Sequence, residues 1–206
     1  MPFLLCLLFL IGLSACTDEQ QPELKPLSPD STILAFGDSL TFGTGARNDE
    51  SYPAILEKLI EIKVINAGIP GETTPEARKR LGRLLKRFRP DLVILCHGGN
   101  DLLRKMDQSQ TIENLKAMIS QIKKSGTQVL LLSVPTPGLL LKPATFYQKV
   151  AHEMHIPIAT GILSRILSNH QLKSDAVHPN GKGYFEMAHA IAEILLNMRA
   201  IDNVSQ

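Results

Sequence analysis

From Ser31 onward, short apolar runs alternate with longer stretches that carry apolar residues at helical spacing. The short runs have the length of buried strands, and the longer stretches have the period of amphipathic helices. Such alternation predicts a parallel sheet with helices on both faces, because parallel strands need long crossover connections. We therefore predict an α/β fold. Its predicted strands are residues 32–37, 63–67, 91–96, 128–134 and 157–160.

The first residues of the chain are typical of an export signal. Residues 2–12 are almost wholly apolar, and the run is shorter than a comfortable membrane span. It ends in Leu-Ser-Ala-Cys at residues 13–16, which resembles a bacterial lipobox. That resemblance implies cleavage after residue 15 and lipidation of Cys16. No Lys or Arg precedes the apolar core, and an ordinary signal peptide with a chance cysteine is the alternative.

The rest of the chain is divided by composition. Residues 16–30 are rich in proline and polar residues, which predicts a flexible tether without a core of its own. Residues 31–200 form one predicted globular domain, and residues 201–206 a C-terminal tail. We expect an exported, membrane-anchored monomer on the periplasmic or cell-surface side.

Composition excludes several classes of function. The net charge is +2 and the chain has no Trp, so neither a basic field nor a base-stacking surface indicates a nucleic-acid partner. The sequence contains no His-Glu-x-x-His and no phosphate-binding glycine loop, and we expect neither a metal nor a cofactor. What remains is chemistry done by side chains and water.

One candidate for such chemistry is Ser39, in the segment Gly-Asp-Ser that follows the first predicted strand. A buried strand that stops at a tight turn would place this hydroxyl at the carboxyl end of a strand, where open α/β sheets build their sites. The serine can act as a nucleophile only if a base lies within hydrogen-bond reach. Taken alone, a Gly-Asp-Ser segment is weak evidence, because in most chains it forms an ordinary turn.

A suitable base stands near the other end of the chain, at His178. Asp175 lies three residues before it, so that both side chains can share one loop and the carboxylate can orient the imidazole. We predict a catalytic triad of Ser39, His178 and Asp175. Two further segments each follow a predicted strand: Asn-Ala-Gly-Ile-Pro-Gly-Glu-Thr at 66–73 and Gly-Gly-Asn-Asp at 98–101.

The four segments together resemble the blocks of the SGNH (GDSL) hydrolase family, over about residues 31–198. Within it the chain is most similar to the multifunctional acyl-CoA thioesterase I, lysophospholipase and arylesterase branch. The resemblance implies a three-layer, flavodoxin-like sandwich with strand order 2-1-3-4-5. It also implies an oxyanion hole formed by the backbone N–H groups of Ser39 and Gly71 and the side-chain amide of Asn100. The implied substrate is a carboxylic ester or thioester, which forms an acyl-enzyme on Ser39.

Two surface features add to this prediction. The loop 135–143 carries the apolar triplet Leu139, Leu140 and Leu141, which is interpreted either as part of the wall of an acyl-chain site or as packing on the core. The helix predicted after residue 74 has a basic face, interpreted as solvated or as a contact for anionic lipid head groups. Its cations are Arg78, Lys79, Arg80, Arg83, Lys86, Arg87 and Arg89.

Two alternatives remain at this point. A carbohydrate O-deacetylase would use the same triad with a small acyl pocket and a polar groove. A non-catalytic binding lipoprotein would share the fold, but a degenerate chain of that kind is expected to lose Ser39 or His178, and both are present.

Overall fold

A computed structural model describes residues 22–138 and 141–204, and its centre is a five-stranded parallel sheet. The strands are β1 Thr32–Gly37, β2 Lys63–Gly68, β3 Leu92–Cys96, β4 Gln128–Leu132 and β5 Ile158–Ala159. The strand order is β2-β1-β3-β4-β5, which confirms the predicted α/β fold and strand order. The interior strands β1 and β3 are buried along nearly their whole length, as expected for a sheet covered on both faces.

Helices cover the sheet in two groups. Within the described ranges the α-helices are α1 Ser39–Phe42, α2 Tyr52–Ile60, α3 Thr74–Phe88, α4 Gly99–Leu103, α5 Gln108–Lys124, α6 Phe146–Met154, α7 Ile162–Ser168 and α8 Gly181–Asn197. Helices α2, α7 and α8 pack together, and α3, α5 and α6 pack together, so that the sheet lies between two helical layers. In the same part of the chain, no helix is long and apolar enough to cross a membrane.

Strand β4 ends at Leu132, two residues before the predicted end. The carbonyl of Val134 accepts a hydrogen bond from the N–H of Ala144 at 3.2 Å. This bond joins the two ends of the 135–143 loop, so residues 133 and 134 lead into the loop and do not extend the strand.

The segment before β1 is docked on the domain, so the predicted flexible tether is wrong for residues 22–30. Leu24 and Leu27 are buried in the core. The N–H of Leu27 donates to the carbonyl of Ala200 at 2.8 Å, and the side-chain amide of Gln128 donates to the carbonyl of Lys25 at 3.1 Å. Residues 16–21, the predicted signal peptide at 1–15 and Cys16 lie outside the described residues.

The predicted tail likewise begins too early. Ile201 is buried and Val204 packs against the core, because the chain turns back after α8 to meet the docked segment. The globular unit therefore extends in both directions beyond the predicted limits of 31 and 200.

Candidate active site

Ser39 and His178 are in hydrogen-bond contact, although 139 residues separate them in the chain. Ser39 is the first residue of α1, separated from the end of β1 only by Asp38, and its Oγ lies 3.0 Å from Nε2 of His178. The Nδ1 atom of the same ring lies 2.7 Å from Oδ2 of Asp175. The structure therefore brings together all three residues of the predicted triad in one chain of hydrogen bonds.

The loop that carries His178 is held by the carboxylate of Asp175. Its Oδ1 accepts from the backbone N–H groups of Val177 and His178, at 2.8 Å each, which leaves Oδ2 for the imidazole. Partial burial raises the pKa of Asp175, but the hydrogen bonds from the His178 ring and the two N–H groups outweigh it, so that the pKa lies below its ordinary value. The carboxylate therefore stays charged near neutral pH.

The side chain of Asn100, at the start of α4, reaches the same site. Its Nδ2 donates to Oδ2 of Asp38 at 3.1 Å and to the carbonyl of Glu72 at 3.0 Å. Because both neighbours of this end of the amide are hydrogen-bond acceptors, the end that faces Asp38 and Glu72 must be the nitrogen. Burial raises the pKa of Asp38 to about 7, against hydrogen bonds from the Leu40 N–H and Asn100 that lower it.

Gly71 lies in the loop between β2 and α3, with a positive φ of 77°. A Cβ at this position would meet only Arg104, whose Nη2 lies 3.7 Å away, so glycine is favoured there by the backbone conformation and not by lack of space. The Gly71 N–H makes no hydrogen bond to any described residue, whereas its carbonyl accepts from Arg104 at 2.8 Å. Gly71, Ser39 and Asn100 all line the same cavity, so the unused Gly71 N–H is a candidate donor at this site.

Behind this loop lies a buried ion pair that the sequence analysis missed. Arg80 was assigned to the exposed basic face of α3, but its side chain is only 13% exposed and pairs with Glu72, which is 6% exposed. The spacing contains the signal: Arg80 stands three residues after Ala77 and four before Leu84, on the apolar stripe of the helix. When only apolar residues are used to define the buried face of the helix, a cation that lies on that face is grouped with the exposed ones.

His97 adjoins the same pair and has no substrate-facing role. It is fully buried, its Nε2 lies 3.5 Å from Oε2 of Glu72, and neither ring nitrogen has a hydrogen-bond partner among the described residues. Burial, together with the charge of Arg80, lowers the pKa of His97 to about 3. The ring is therefore neutral, and the Glu72 charge is balanced by Arg80.

A cavity of about 680 Å³ opens at Ser39 and is lined mainly by apolar side chains. Of the leucine triplet, Leu141 lies in the wall of this cavity, whereas Leu139 and Leu140 lie outside the described residues. Other apolar residues of the wall are Leu103, Val134, Leu167 and Val177. Among the described residues, no group of three or more His, Cys, Asp or Glu side chains is arranged to hold a metal ion.

Comparison with known proteins agrees with this geometry. Residues 35–184 match the model of the GDSL-like Lipase/Acylhydrolase family. The chain is 31% identical to thioesterase 1/protease 1/lysophospholipase L1 of Escherichia coli over 157 residues, which are 72% of this chain and 76% of that protein. It is 30% identical to an arylesterase of Vibrio mimicus over 175 residues, 80% of this chain and 88% of that protein.

Solved structures show the same relationship. The psychrotrophic esterase EstA from Pseudoalteromonas sp. superposes with a TM-score of 0.72 at 25% identity, over 81% of this chain and 99% of that chain. The structure of TesA superposes with a TM-score of 0.73 at 26% identity, over 81% and 99% of the two chains. The chain therefore belongs to the GDSL-like lipase/acylhydrolase family.

Proposed function

We propose that this protein is a serine esterase that hydrolyses carboxylic esters or thioesters of fatty acids through an acyl-enzyme on Ser39. The observation that carries the proposal is the hydrogen-bonded chain from Ser39 Oγ through the His178 ring to Asp175, at 3.0 and 2.7 Å, with Ser39 and His178 both lining the largely apolar cavity. The relatives named as thioesterase, lysophospholipase and arylesterase support this class of substrate.

In the first half of the reaction, Ser39 Oγ attacks the carbonyl carbon of the ester while His178 Nε2 takes the hydroxyl proton. Asp175 keeps the other ring proton on Nδ1 and stabilises the imidazolium. When the tetrahedral intermediate collapses, His178 returns the proton to the leaving alcohol or thiol. Water then attacks the acyl-enzyme by the same route, which releases the acid and the free serine.

Three donors are proposed to meet the negative oxygen of the intermediate. Ser39 is the first residue of α1, where the backbone N–H has no partner inside the helix, and the Gly71 N–H is free among the described residues. Asn100 offers its amide, although an oxyanion would have to share it with Asp38 and Glu72. Loss of one such donor typically costs roughly 3–4 kcal/mol of transition-state stabilisation.

The cavity favours an acyl chain over an acetyl group. A volume of about 680 Å³ is far more than an acetyl group occupies, and the wall includes Leu103, Leu141 and Leu167. A carbohydrate O-deacetylase would be expected to show a polar groove instead. The second alternative, a non-catalytic binding lipoprotein, gives no reason for the contact between Ser39 and His178.

We further propose that the protein is exported as a monomer and anchored to a membrane by lipid on Cys16. The support is the sequence at residues 13–16, Leu-Ser-Ala-Cys, after the apolar run at 2–12.

The test is hydrolysis of p-nitrophenyl esters from acetyl to palmitoyl, together with palmitoyl-CoA, by the purified protein. The matched variants are Ser39→Ala and Ser120→Ala, the latter a serine of α5 remote from the site. We expect activity that peaks at medium or long chains, is abolished by Ser39→Ala and is unchanged by Ser120→Ala. A peak at acetyl alone would favour the deacetylase, and activity that survives Ser39→Ala would overturn the proposal.

A further inference from the structure

The guanidinium of Arg80 contacts three segments of the chain at once, the ends of two strands and one loop. Its Nε and Nη2 each lie 2.6 Å from one carboxylate oxygen of Glu72. The same Nη2 donates to the carbonyls of Ala67 at 2.9 Å and of Gly37 at 3.3 Å. The planar group also lies over the ring of Phe36, 4.3 Å from its centroid. One buried cation therefore joins the ends of β1 and β2 to the loop before α3.

Each of the joined segments leads directly to a proposed oxyanion donor. Gly37 stands two residues before Ser39, and Glu72 is the neighbour of Gly71. The carbonyl of Glu72 is also one of the two acceptors that fix the Asn100 amide, at 3.0 Å. The relative positions of all three donors thus depend on segments that converge on the same guanidinium.

We propose that Arg80 is a positioning residue that sets the geometry of the oxyanion hole, and this inference rests on the esterase function proposed above. Arg80 is absent from the lining of the cavity, so it acts on the reaction through the Gly71, Asn100 and Ser39 donors. Donors displaced by a fraction of an ångström stabilise the oxyanion less, whereas the apolar walls that bind the acyl chain stay in place. The effect falls on the transition state and not on substrate binding.

The chemistry of arginine explains why this residue type stands there. The guanidinium presents several N–H donors in a rigid plane, and here they serve a bidentate carboxylate and two carbonyls together. A lysine would keep the charge but is a point donor on a flexible stem, and cannot reproduce the fork. The Arg80→Lys variant therefore keeps the positive charge that balances Glu72 and removes only the geometry of the guanidinium donors.

The experiment compares Arg80→Lys and Arg80→Met with the wild type. Arg83→Met is the matched control, since Arg83 is an exposed cation of the same helix. For each protein, kcat and KM are measured with p-nitrophenyl butyrate under conditions where circular dichroism shows the native fold. Two inhibitors are compared in parallel: a butyl trifluoromethyl ketone, which forms a tetrahedral adduct with the serine, and butyrate, which does not.

We expect kcat of Arg80→Lys to fall on the order of 10²-fold, as for loss of an oxyanion donor. Affinity for the trifluoromethyl ketone falls in proportion, while KM and the butyrate affinity change less than about twofold. Arg83→Met behaves as wild type. If Arg80→Met does not fold, Arg80→Lys and Glu72→Gln, which keeps the shape and removes the charge, provide the same measurements.

Two results would overturn the inference. In one, a folded Arg80→Lys keeps kcat within about twofold of the wild type. In the other, the two inhibitors lose affinity equally, which would show a general loosening of the site and a merely structural role. The proposed function has a separate test: it is wrong if the Ser39→Ala variant hydrolyses the ester at the wild-type rate.

Discussion

Asp38 offers a test of the buried site that needs no substrate. The side chain is fully buried, and this burial raises its pKa from 3.8 to about 7, against the lowering contributions of the Leu40 N–H and of His178. In the unfolded chain the pKa returns to about 3.9. Between about pH 4 and pH 7 the folded state therefore holds a proton that the unfolded chain has released, so that the free energy of unfolding falls as the pH rises. At about 1.36 kcal/mol for each pH unit, the total loss is about 4 kcal/mol.

The perturbation is Asp38→Asn, which keeps the shape of the side chain and an acceptor for the Leu40 N–H but has no proton to lose. Urea unfolding of both proteins at five values from about pH 4 to pH 8 gives the difference in unfolding free energy, in which other titrating groups largely cancel. We expect this difference to change by about 4 kcal/mol in favour of the variant as the pH rises.

A constant offset between the two proteins is also expected, because the variant alters the contact with Asn100. Only the change with pH reports on the pKa. A difference for Asp38→Asn that stays flat within about 1 kcal/mol over the same range would refute a buried, proton-holding Asp38.

The remaining predictions concern the backbone, the triad and the anchor. Gly68→Ala should destabilise the fold by about 1–3 kcal/mol or more in urea unfolding, because its Cβ would lie 2.1 Å from the backbone N of Phe42; an unchanged midpoint would contradict the close packing. Asp175→Asn should lower kcat on the order of 10³- to 10⁴-fold in the ester assay with little change in KM, since the His178 tautomer is no longer held; full activity would exclude Asp175 from the triad. Cys16→Ser should move the protein from the membrane to the soluble fraction after cell fractionation; continued membrane association would contradict the proposed lipidation.

The parts of the molecule that follow from local pattern could be predicted from the sequence. The positions of the strands and of the catalytic residues could be predicted because each catalytic segment directly follows a strand-like run or, for Asp175 and His178, lies within one loop. The strand order came instead from the resemblance to the SGNH family, because local pattern does not determine which strands are neighbours. The docking of residues 22–30 on the domain could not be predicted from the sequence. Only Leu24 and Leu27 break the polar, proline-rich composition, and the partner of Lys25 is Gln128, 103 residues away.

Arg80 was missed for a different reason. Its neighbours on α3 are exposed cations, and residue type alone does not distinguish it from them. What buries the guanidinium is the presence of an acid and two carbonyl groups that belong to three other segments of the chain. Such a cluster exists only after the fold has formed, so a helical projection can indicate the position of the arginine but not its partners.

The docking of residues 22–30 determines how an anchored form of this protein would face its membrane. The docked segment meets Gln128, the first residue of β4, and so leaves the domain at the amino-terminal edge of the sheet, whereas Ser39 lies at the carboxyl-terminal edge. If Cys16 carries the proposed lipid, the six residues 16–21 extend at most about 20 Å. A connection of this length would keep the opening of the cavity at Ser39 on the side of the domain that faces away from the bilayer. The lipid would then determine the orientation of the enzyme, and substrates would reach it from the aqueous side.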